Sequence, residues 1–164
     1  MRATRTSAFV FAGAALVTFF AGCKDSSGPT SEAFTATFSG VAAAAPGGRC
    51  TSLTVSIAEP GTSTPGGAFA TVQSHCIYPT GANPLLFDGG VYTFTYPGGG
   101  TITGAYSGVM VATAAPTVFA LDGTFTITSG TGEFAGATGG GDASGTNDVV
   151  SGANTVHLAG TIIR

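Results

Sequence analysis

One feature of the sequence limits the possible folds more than any other. It is a series of short runs in which apolar and polar residues alternate, and turns rich in glycine and proline separate these runs. The alternation runs through Phe34 to Phe38, Leu53 to Ile57 and Phe125 to Thr128. Successive side chains of a β-strand point to opposite faces, so a period of two is typical of strands with one buried face. No stretch beyond residue 33 carries the apolar stripe of an amphipathic helix. The sequence therefore predicts an all-β protein.

Turn signals divide the chain into about eight strand segments. They include Pro46 to Gly48, Pro60-Gly61, Pro97 to Gly100 and Gly139 to Asp142. Short strands with regular turns predict a small antiparallel barrel, with a β-sandwich as the alternative. Closure is favoured because it removes the exposed edges that a Thr- and Val-rich sequence offers for aggregation. The predicted strands cover residues 33–39, 50–58, 67–78, 85–96, 101–113, 117–129, 132–146 and 154–163.

The polar surface of such a barrel must come from uncharged residues, because charged residues make up only 8% of the chain. An average soluble domain has roughly 25%. Thr and Ser at alternate strand positions provide that surface, and 27 glycines in 164 residues supply turns and bends. Five basic residues against eight acidic ones do not form the basic surface that binds nucleic acid, so no nucleic-acid partner is predicted.

The first 22 residues have the order of a secretory signal. Arg2 and Arg5 form a basic region, and Ala8 to Phe20 form an apolar region shorter than the roughly 20 residues of a membrane-spanning helix. The residues from Phe20 to Cys23, Phe-Ala-Gly-Cys, resemble the lipobox of bacterial lipoproteins. In that family the cysteine is acylated and becomes the first residue of the mature protein.

This resemblance implies lipidation of Cys23, a signal peptide at residues 1–22, a flexible tether at 23–32 and one domain at 33–164. It also implies an exported protein whose partner is a membrane of the cell envelope, reached through the lipid anchor. Lys24 at the second mature position favours the outer membrane in such proteins. The alternative is an ordinary signal peptide followed by an incidental cysteine.

Two cysteines remain once Cys23 is assigned to the lipid, and they are Cys50 and Cys76. In an oxidising compartment an even pair predicts a disulfide, and closing a loop of about 25 residues stabilises a fold by roughly 3 kcal/mol. Metal binding by Cys76 and the adjacent His75 is the alternative. Adjacent strand residues point to opposite faces, and no other His or Cys lies at ligand spacing, so the disulfide is favoured and no metal site is predicted.

A hairpin pattern late in the chain provides a second resemblance. Gly123 to Gly139 contains a strand, a Gly-Thr-Gly turn at Gly130 to Gly132, a returning Phe134 and a Gly-Ala-Thr-Gly segment. This pattern resembles the β-barrels of allene oxide cyclase-like and dirigent-like proteins, which include exported bacterial members of unknown role. The resemblance covers residues 91–164, and it implies a barrel in which Phe134 returns to the core.

The sequence offers few reactive groups. Nucleophile and metal motifs such as Gly-x-Ser-x-Gly, His-Glu-x-x-His and paired Cys-x-x-Cys are absent from it. Asp142, Asn147 and Asp148 supply oxygen ligands for calcium, but their spacing fits neither an EF-hand loop nor a repeated calcium-binding nonapeptide, so a solvated hairpin loop is preferred. His157 is out of phase with the apolar residues of its strand and is predicted to face solvent. No catalytic residue, metal or cofactor is predicted.

The leading functional hypothesis is a non-catalytic envelope lipoprotein that binds a small apolar ligand in the barrel or has a structural role. The rival, implied by the resemblance to allene oxide cyclase, is a cyclase or isomerase that acts on an apolar substrate through cavity shape. A membrane-spanning barrel is excluded because outward strand positions are Thr and Ser. No oligomeric state is predicted. The residues predicted to form the cavity wall are Tyr92, Phe94, Tyr96, Tyr106 and Phe125. The alternative is that these aromatic side chains simply fill a packed core.

Overall fold

The computed structural model describes residues 28–78 and 83–164. The predicted signal peptide, the lipidation site Cys23 and the first part of the tether lie outside the described residues. Among the described residues, no helix is long and apolar enough to cross a membrane.

Eight strands within these two segments pair in chain order, and the last pairs with the first to close an antiparallel barrel. Ser31 lies opposite Ile163 where the barrel closes. This closure confirms the predicted barrel and excludes the β-sandwich. Because every strand finds both neighbours between residues 31 and 163, a chain that begins at Gly28 contains the whole barrel. The strands are β1 (Ser31–Pro46), β2 (Leu53–Thr64), β3 (Gly67–Tyr78), β4 (Leu85–Thr95), β5 (Thr101–Ala112), β6 (Val118–Thr131), β7 (Thr138–Asp148) and β8 (Ala153–Ile163).

Alternation sorts the side chains between the interior and the outer surface. In β1, Phe34, Ala36 and Phe38 are buried, while the Thr residues between them are exposed. Burial of apolar area of this kind is the main favourable term in folding. The outer surface carries Thr and Ser together with exposed valines such as Val72 and Val91.

β2 continues through Pro60-Gly61, where the sequence predicted a turn and a strand end at residue 58. The pairing of β1 with β2 is interrupted beside Pro60, which removes the need for a backbone donor on that side. Gly61 points inward, and a Cβ there would collide with the Phe69 ring and the Phe38 side chain. The predicted strand end was wrong because this glycine makes room for aromatic packing instead of reversing the chain.

β7 begins at Thr138 and passes through residues 139–142, where the sequence predicted a turn. The predicted strand start at residue 132 was also wrong, because Gly132–Phe134 form a short 3-10 turn. Phe134 is fully buried, as the hairpin resemblance implies. At Gly139 and Gly141 a Cβ would meet the backbone of β8, so these glycines allow close strand approach.

The two ends of the barrel are packed differently. The closed end holds the first residues of β1, the last residues of β8 and the β2–β3, β4–β5 and β6–β7 connections. Phe69 and Phe94 stack in its interior with ring centroids 4.1 Å apart, and Phe134 packs on Tyr96 at 4.6 Å. The open end lies opposite, at the β1–β2, β3–β4, β5–β6 and β7–β8 connections, and its interior is hollow.

Candidate functional site: a cavity at the open end

The open end of the barrel encloses a cavity of about 540 Å³. Pockets that bind small molecules span roughly 300 to 1,000 Å³ and are mostly apolar. This cavity therefore has the size and the character of a small-molecule site. Its aliphatic and aromatic lining includes Phe38, Val55, Ile57, Ile77, Leu85, Met110, Phe119, Leu121, Val156 and Leu158.

Aromatic rings lie along the cavity wall because glycines face them across the β4–β5 ladder. Tyr92 lies opposite Gly104, and Tyr106 lies opposite Gly90. A Cβ at Gly104 would meet the Tyr92 hydroxyl oxygen at 2.5 Å, and a Cβ at Gly90 would meet the Tyr106 ring at 2.7 Å. Each ring thus covers the surface that a side chain would otherwise occupy. The centre of the open end stays unfilled as a result.

Four of the five aromatic residues predicted for the cavity wall border the cavity: Tyr92, Phe94, Tyr106 and Phe125. Tyr96 does not, because β4 runs from the open end toward the closed end and places Tyr96 beyond the cavity floor. There the Tyr96 hydroxyl lies 2.8 Å from Ser63 Oγ. Its ring packs against Phe69 and Phe134.

His75 is a cavity residue that the sequence reasoning weighed only as a metal ligand. It projects inward from β3, and its Nδ1 lies 2.8 Å from the Tyr106 hydroxyl. Burial, and then the positive charge of Arg49, lower the pKa of His75 to about 4, so the ring is neutral at pH 7. Burial raises the pKa of Tyr106. The sequence could have placed His75 in the interior, because it lies six residues after Phe69 and therefore on the same face of β3.

The predicted disulfide joins Cys50 to Cys76 and is confirmed, with an S–S distance of 2.01 Å. Cys76 directly follows His75, which borders the cavity, and Cys50 directly follows Arg49, which is exposed. The Arg49 guanidinium donates to the carbonyls of Ser74, at 2.7 Å, and Gly89, at 2.6 Å. The crosslink therefore attaches the β1–β2 connection to β3 and holds a positive charge near the histidine.

A second polar group lies around Glu59, which points into the barrel and is only 5% exposed. Burial raises the pKa of Glu59 to about 7, and a hydrogen bond from Asn154 acts in the opposite direction. In the amide orientation that satisfies both residues, the Asn154 nitrogen donates to the two carboxyl oxygens at 3.2 and 3.3 Å. Gly40 makes room for this carboxyl, because a Cβ there would meet Glu59 Oε2 at 2.5 Å.

The residues considered for calcium are not gathered into one loop. Asp142 is exposed on the outside of β7, while Asn147 faces the cavity. Asp148 accepts hydrogen bonds from the backbone of Val150 and Ser151, which lower its pKa. Within residues 28–78 and 83–164, no three His, Cys, Asp or Glu side chains are placed to hold a metal ion.

His157, predicted to face solvent, is exposed on the outside of β8, and its Nδ1 lies 3.1 Å from Thr37 Oγ1. It is therefore separated from the cavity by the barrel wall. This leaves His75 as the histidine that borders the cavity.

The fold and the cavity define an antiparallel barrel that is packed at one end and hollow at the other. A solved structure described as that of the pterocarpan synthase dirigent protein GePTS1 matches 97% of this chain over 99% of its own length. The TM-score is 0.53 and the sequence identity is 14%, so the likeness shows a shared dirigent-like barrel fold. No family model matches the sequence. No curated protein matches it either.

Proposed function

We propose that the barrel is a non-catalytic binding protein for a small apolar ligand, which it holds in the cavity of the open end. The observation that carries the proposal is the contrast between the two ends. Phe34 and Phe134 are fully buried in the closed end, whereas the open end leaves about 540 Å³ between apolar side chains. An internal void costs stability, by about 24 cal/mol per Å³ in measured cases, and ligand binding offsets that cost.

Small side chains on the lining keep the cavity open. Ala42 and Ala44 face it from β1, and Ala143 faces it from β7. Larger apolar residues at these positions would fill the space and stabilise the barrel. The similar solved barrel is described as a pterocarpan synthase, a name that associates that protein with a small molecule and supports the same use of this interior.

Binding of N-phenyl-1-naphthylamine, a neutral apolar dye, tests the proposal on a chain that begins at Gly28. We expect the wild-type protein to enhance the fluorescence of the dye and to saturate at one dye per barrel. Ala42→Phe places a ring in the cavity and should weaken binding by about tenfold or more, a loss of at least about 1.4 kcal/mol.

Ala43→Phe is the matched control, because it adds the same ring to the adjacent residue on the outer surface of β1. This variant should bind the dye as the wild-type protein does. Equal binding by the two variants, or no binding by the wild-type protein, would contradict the proposal.

A cyclase or isomerase is the second candidate function, and the buried polar groups favour it. His75 borders the cavity and is paired with Tyr106. The carboxyl of Glu59, with a pKa of about 7, lies behind the cavity-lining residue Asn154. Groups with displaced pKa values at a cavity are suited to proton transfer. Turnover of an apolar epoxide by the wild-type protein, abolished in His75→Phe, would establish this function in place of simple binding.

We also propose that the protein is a lipoprotein of the cell envelope, anchored through Cys23. The order of the first 23 residues supports this proposal. Thr30 and Arg164 exchange backbone hydrogen bonds at the closed end, so an anchor at Cys23 would leave the open end facing away from the membrane. Mass spectrometry of the mature N-terminus tests the anchor, and an unmodified Cys23 would refute it.

A further inference from the structure

The polar atoms that face the cavity without a partner indicate what kind of ligand it takes. His75 is 9% exposed and borders the cavity, and its Nε2 has no hydrogen-bond partner among the described residues. Nδ1 lies nearer the backbone and is occupied by the Tyr106 hydroxyl. Nε2, at the tip of the ring, is therefore the atom left for a ligand.

The pairing with Tyr106 fixes which ring nitrogen carries the proton. The Tyr106 hydroxyl has one partner in the described part of the chain, His75 Nδ1 at 2.8 Å. If Nδ1 carried the proton, the hydroxyl proton would lack an acceptor in a largely buried place, which is costly. The phenol therefore donates to Nδ1, and the neutral ring carries its proton on Nε2.

We propose that the Nε2–H of His75 donates a hydrogen bond to a carbonyl oxygen of an otherwise apolar, neutral ligand. This inference rests on the proposed binding function and adds a ligand class to it. A ligand in this position would place its oxygen against His75 and its hydrocarbon part against the apolar lining of the open end.

Two features of the cavity favour a neutral carbonyl compound over an anion. The described lining contains no Lys or Arg side chain to pair with a negative charge. The nearby Arg49 guanidinium is directed at the carbonyls of Ser74 and Gly89. A buried anion without a cationic partner is strongly disfavoured, whereas a ketone oxygen needs only a donor.

Gln73 lies on the same strand face as His75, but its side-chain nitrogen is sealed from the cavity. It lies two residues before His75 on β3, borders the cavity and is 6% exposed. Its Nε2 has no hydrogen-bond partner in the described part of the chain. Because almost none of the surface of this nitrogen is accessible, a ligand in the cavity cannot reach it, and the proposal rests on His75.

Butyrophenone and butylbenzene test the proposal, because they differ by a carbonyl in place of a CH₂ group. Each is used to displace N-phenyl-1-naphthylamine from the chain that begins at Gly28. We expect butyrophenone to bind about five- to tenfold more tightly than butylbenzene, as one hydrogen bond in a buried site predicts. His75→Phe should abolish this preference while retaining dye binding, and the external variant His157→Phe should keep it.

The outcomes separate this inference from the proposed function. If the dye binds but the two ligands displace it equally, the role of His75 is refuted and the proposed function is not. The same holds if His75→Phe still prefers butyrophenone to butylbenzene. Absence of dye binding would refute the proposed function itself. If His75→Phe does not fold, nitrogen-15 NMR of the wild-type protein decides. Butyrophenone, and not butylbenzene, should shift the Nε2–H resonance, and an unshifted resonance would overturn the inference.

Discussion

Glu59 and His75 are both buried inside the barrel, and burial moves their pKa values in opposite directions. The pKa of Glu59 rises from 4.5 to about 7, and the pKa of His75 falls from 6.5 to about 4. Burial disfavours the charged form of either group, so both are uncharged between about pH 4.5 and 6.5. The carboxyl then keeps a proton that the unfolded chain releases, and the imidazole lacks one that the unfolded chain binds.

These shifts predict opposing effects of pH on stability. The contribution of Glu59 is fully present below pH 4.5 and is lost as the pH rises through 7, because the folded state holds the proton more tightly. The contribution of His75 is present above pH 6.5 and is lost as the pH falls through 4. Each amounts to about 3 kcal/mol, since one pKa unit corresponds to about 1.4 kcal/mol. From pH 4.5 to 6.5 the two slopes nearly cancel.

Single variants should reveal the two slopes. The free energy of unfolding of Glu59→Gln, which keeps only the His75 slope, should rise with pH between 4 and 6.5, and that of His75→Phe, which keeps only the Glu59 slope, should fall between 4.5 and 7. Urea unfolding at a series of pH values measures both. Ala43→Phe, which changes an outer-surface residue without a titratable group, should follow the wild-type profile. A Glu59→Gln profile parallel to the wild-type profile would show that this carboxyl is not displaced.

At the scale of residues, the sequence predicts which side chains point inward but not how deep they lie. Strand phase placed Tyr92 and Tyr96 on one face, yet Tyr92 borders the cavity and Tyr96 packs in the closed end. Depth depends on strand register, which long-range pairing sets. The pairing of His75 with Tyr106 depends on register in the same way, because it joins β3 to β5 across the interior.

At the scale of elements, the disulfide joins the long β1–β2 connection to β3, near the open end. Cys50 and Cys76 are 26 positions apart and both are buried. The β1–β2 connection is held at the same place by Arg49, which bonds to the carbonyls of Ser74 and Gly89. One edge of the cavity is therefore held by a covalent bond and by two charge-assisted hydrogen bonds.

Removal of this crosslink should destabilise the barrel. The double variant Cys50→Ser, Cys76→Ser is expected to lose about 3 kcal/mol of unfolding free energy, because the unfolded chain gains the entropy of an open loop. Urea unfolding with and without a reducing agent measures the loss. The reductant should lower the stability of the wild-type protein and leave the double variant unchanged. A double variant as stable as the oxidised wild-type protein would contradict this account.

The element boundaries show where sequence reasoning works and where it fails. Turn signals divided the chain into eight segments, each of which overlaps one strand, and alternation identified the buried face where it was present, because both signals are local. The turns predicted at residues 60–61 and 139–142 were wrong, because glycine occurs both in turns and where two strands pack closely. Which use applies depends on the neighbouring strand, as with the Phe38 and Phe69 side chains beside Gly61.

At the scale of the whole molecule, the barrel divides stability and binding between its two ends. The closed end contains the fully buried rings of Phe34 and Phe134 and receives both ends of the described barrel. The open end contains the cavity, His75 and the loop held by the disulfide. The empty space of the cavity is thus kept apart from the packed core of the closed end.

The same substitution at the two ends should therefore have unequal effects. Phe34→Ala removes a fully buried ring from the closed end and should cost about 3 to 5 kcal/mol of unfolding free energy. Phe119→Ala removes a half-buried ring that borders the cavity and already lacks contacts on one side. It should cost about 1 kcal/mol, because fewer dispersion contacts are lost.

Urea unfolding of the two phenylalanine variants measures this difference, and dye binding provides a second readout. Phe119→Ala enlarges the cavity and should still bind N-phenyl-1-naphthylamine, since the rest of the lining is intact. Phe34→Ala should bind the dye normally in buffer in which the variant is folded, because Phe34 lies outside the cavity lining. Equal losses of stability would mean that the open end is packed as tightly as the closed end. Such a result would remove the cavity on which both the binding function and the role of His75 depend.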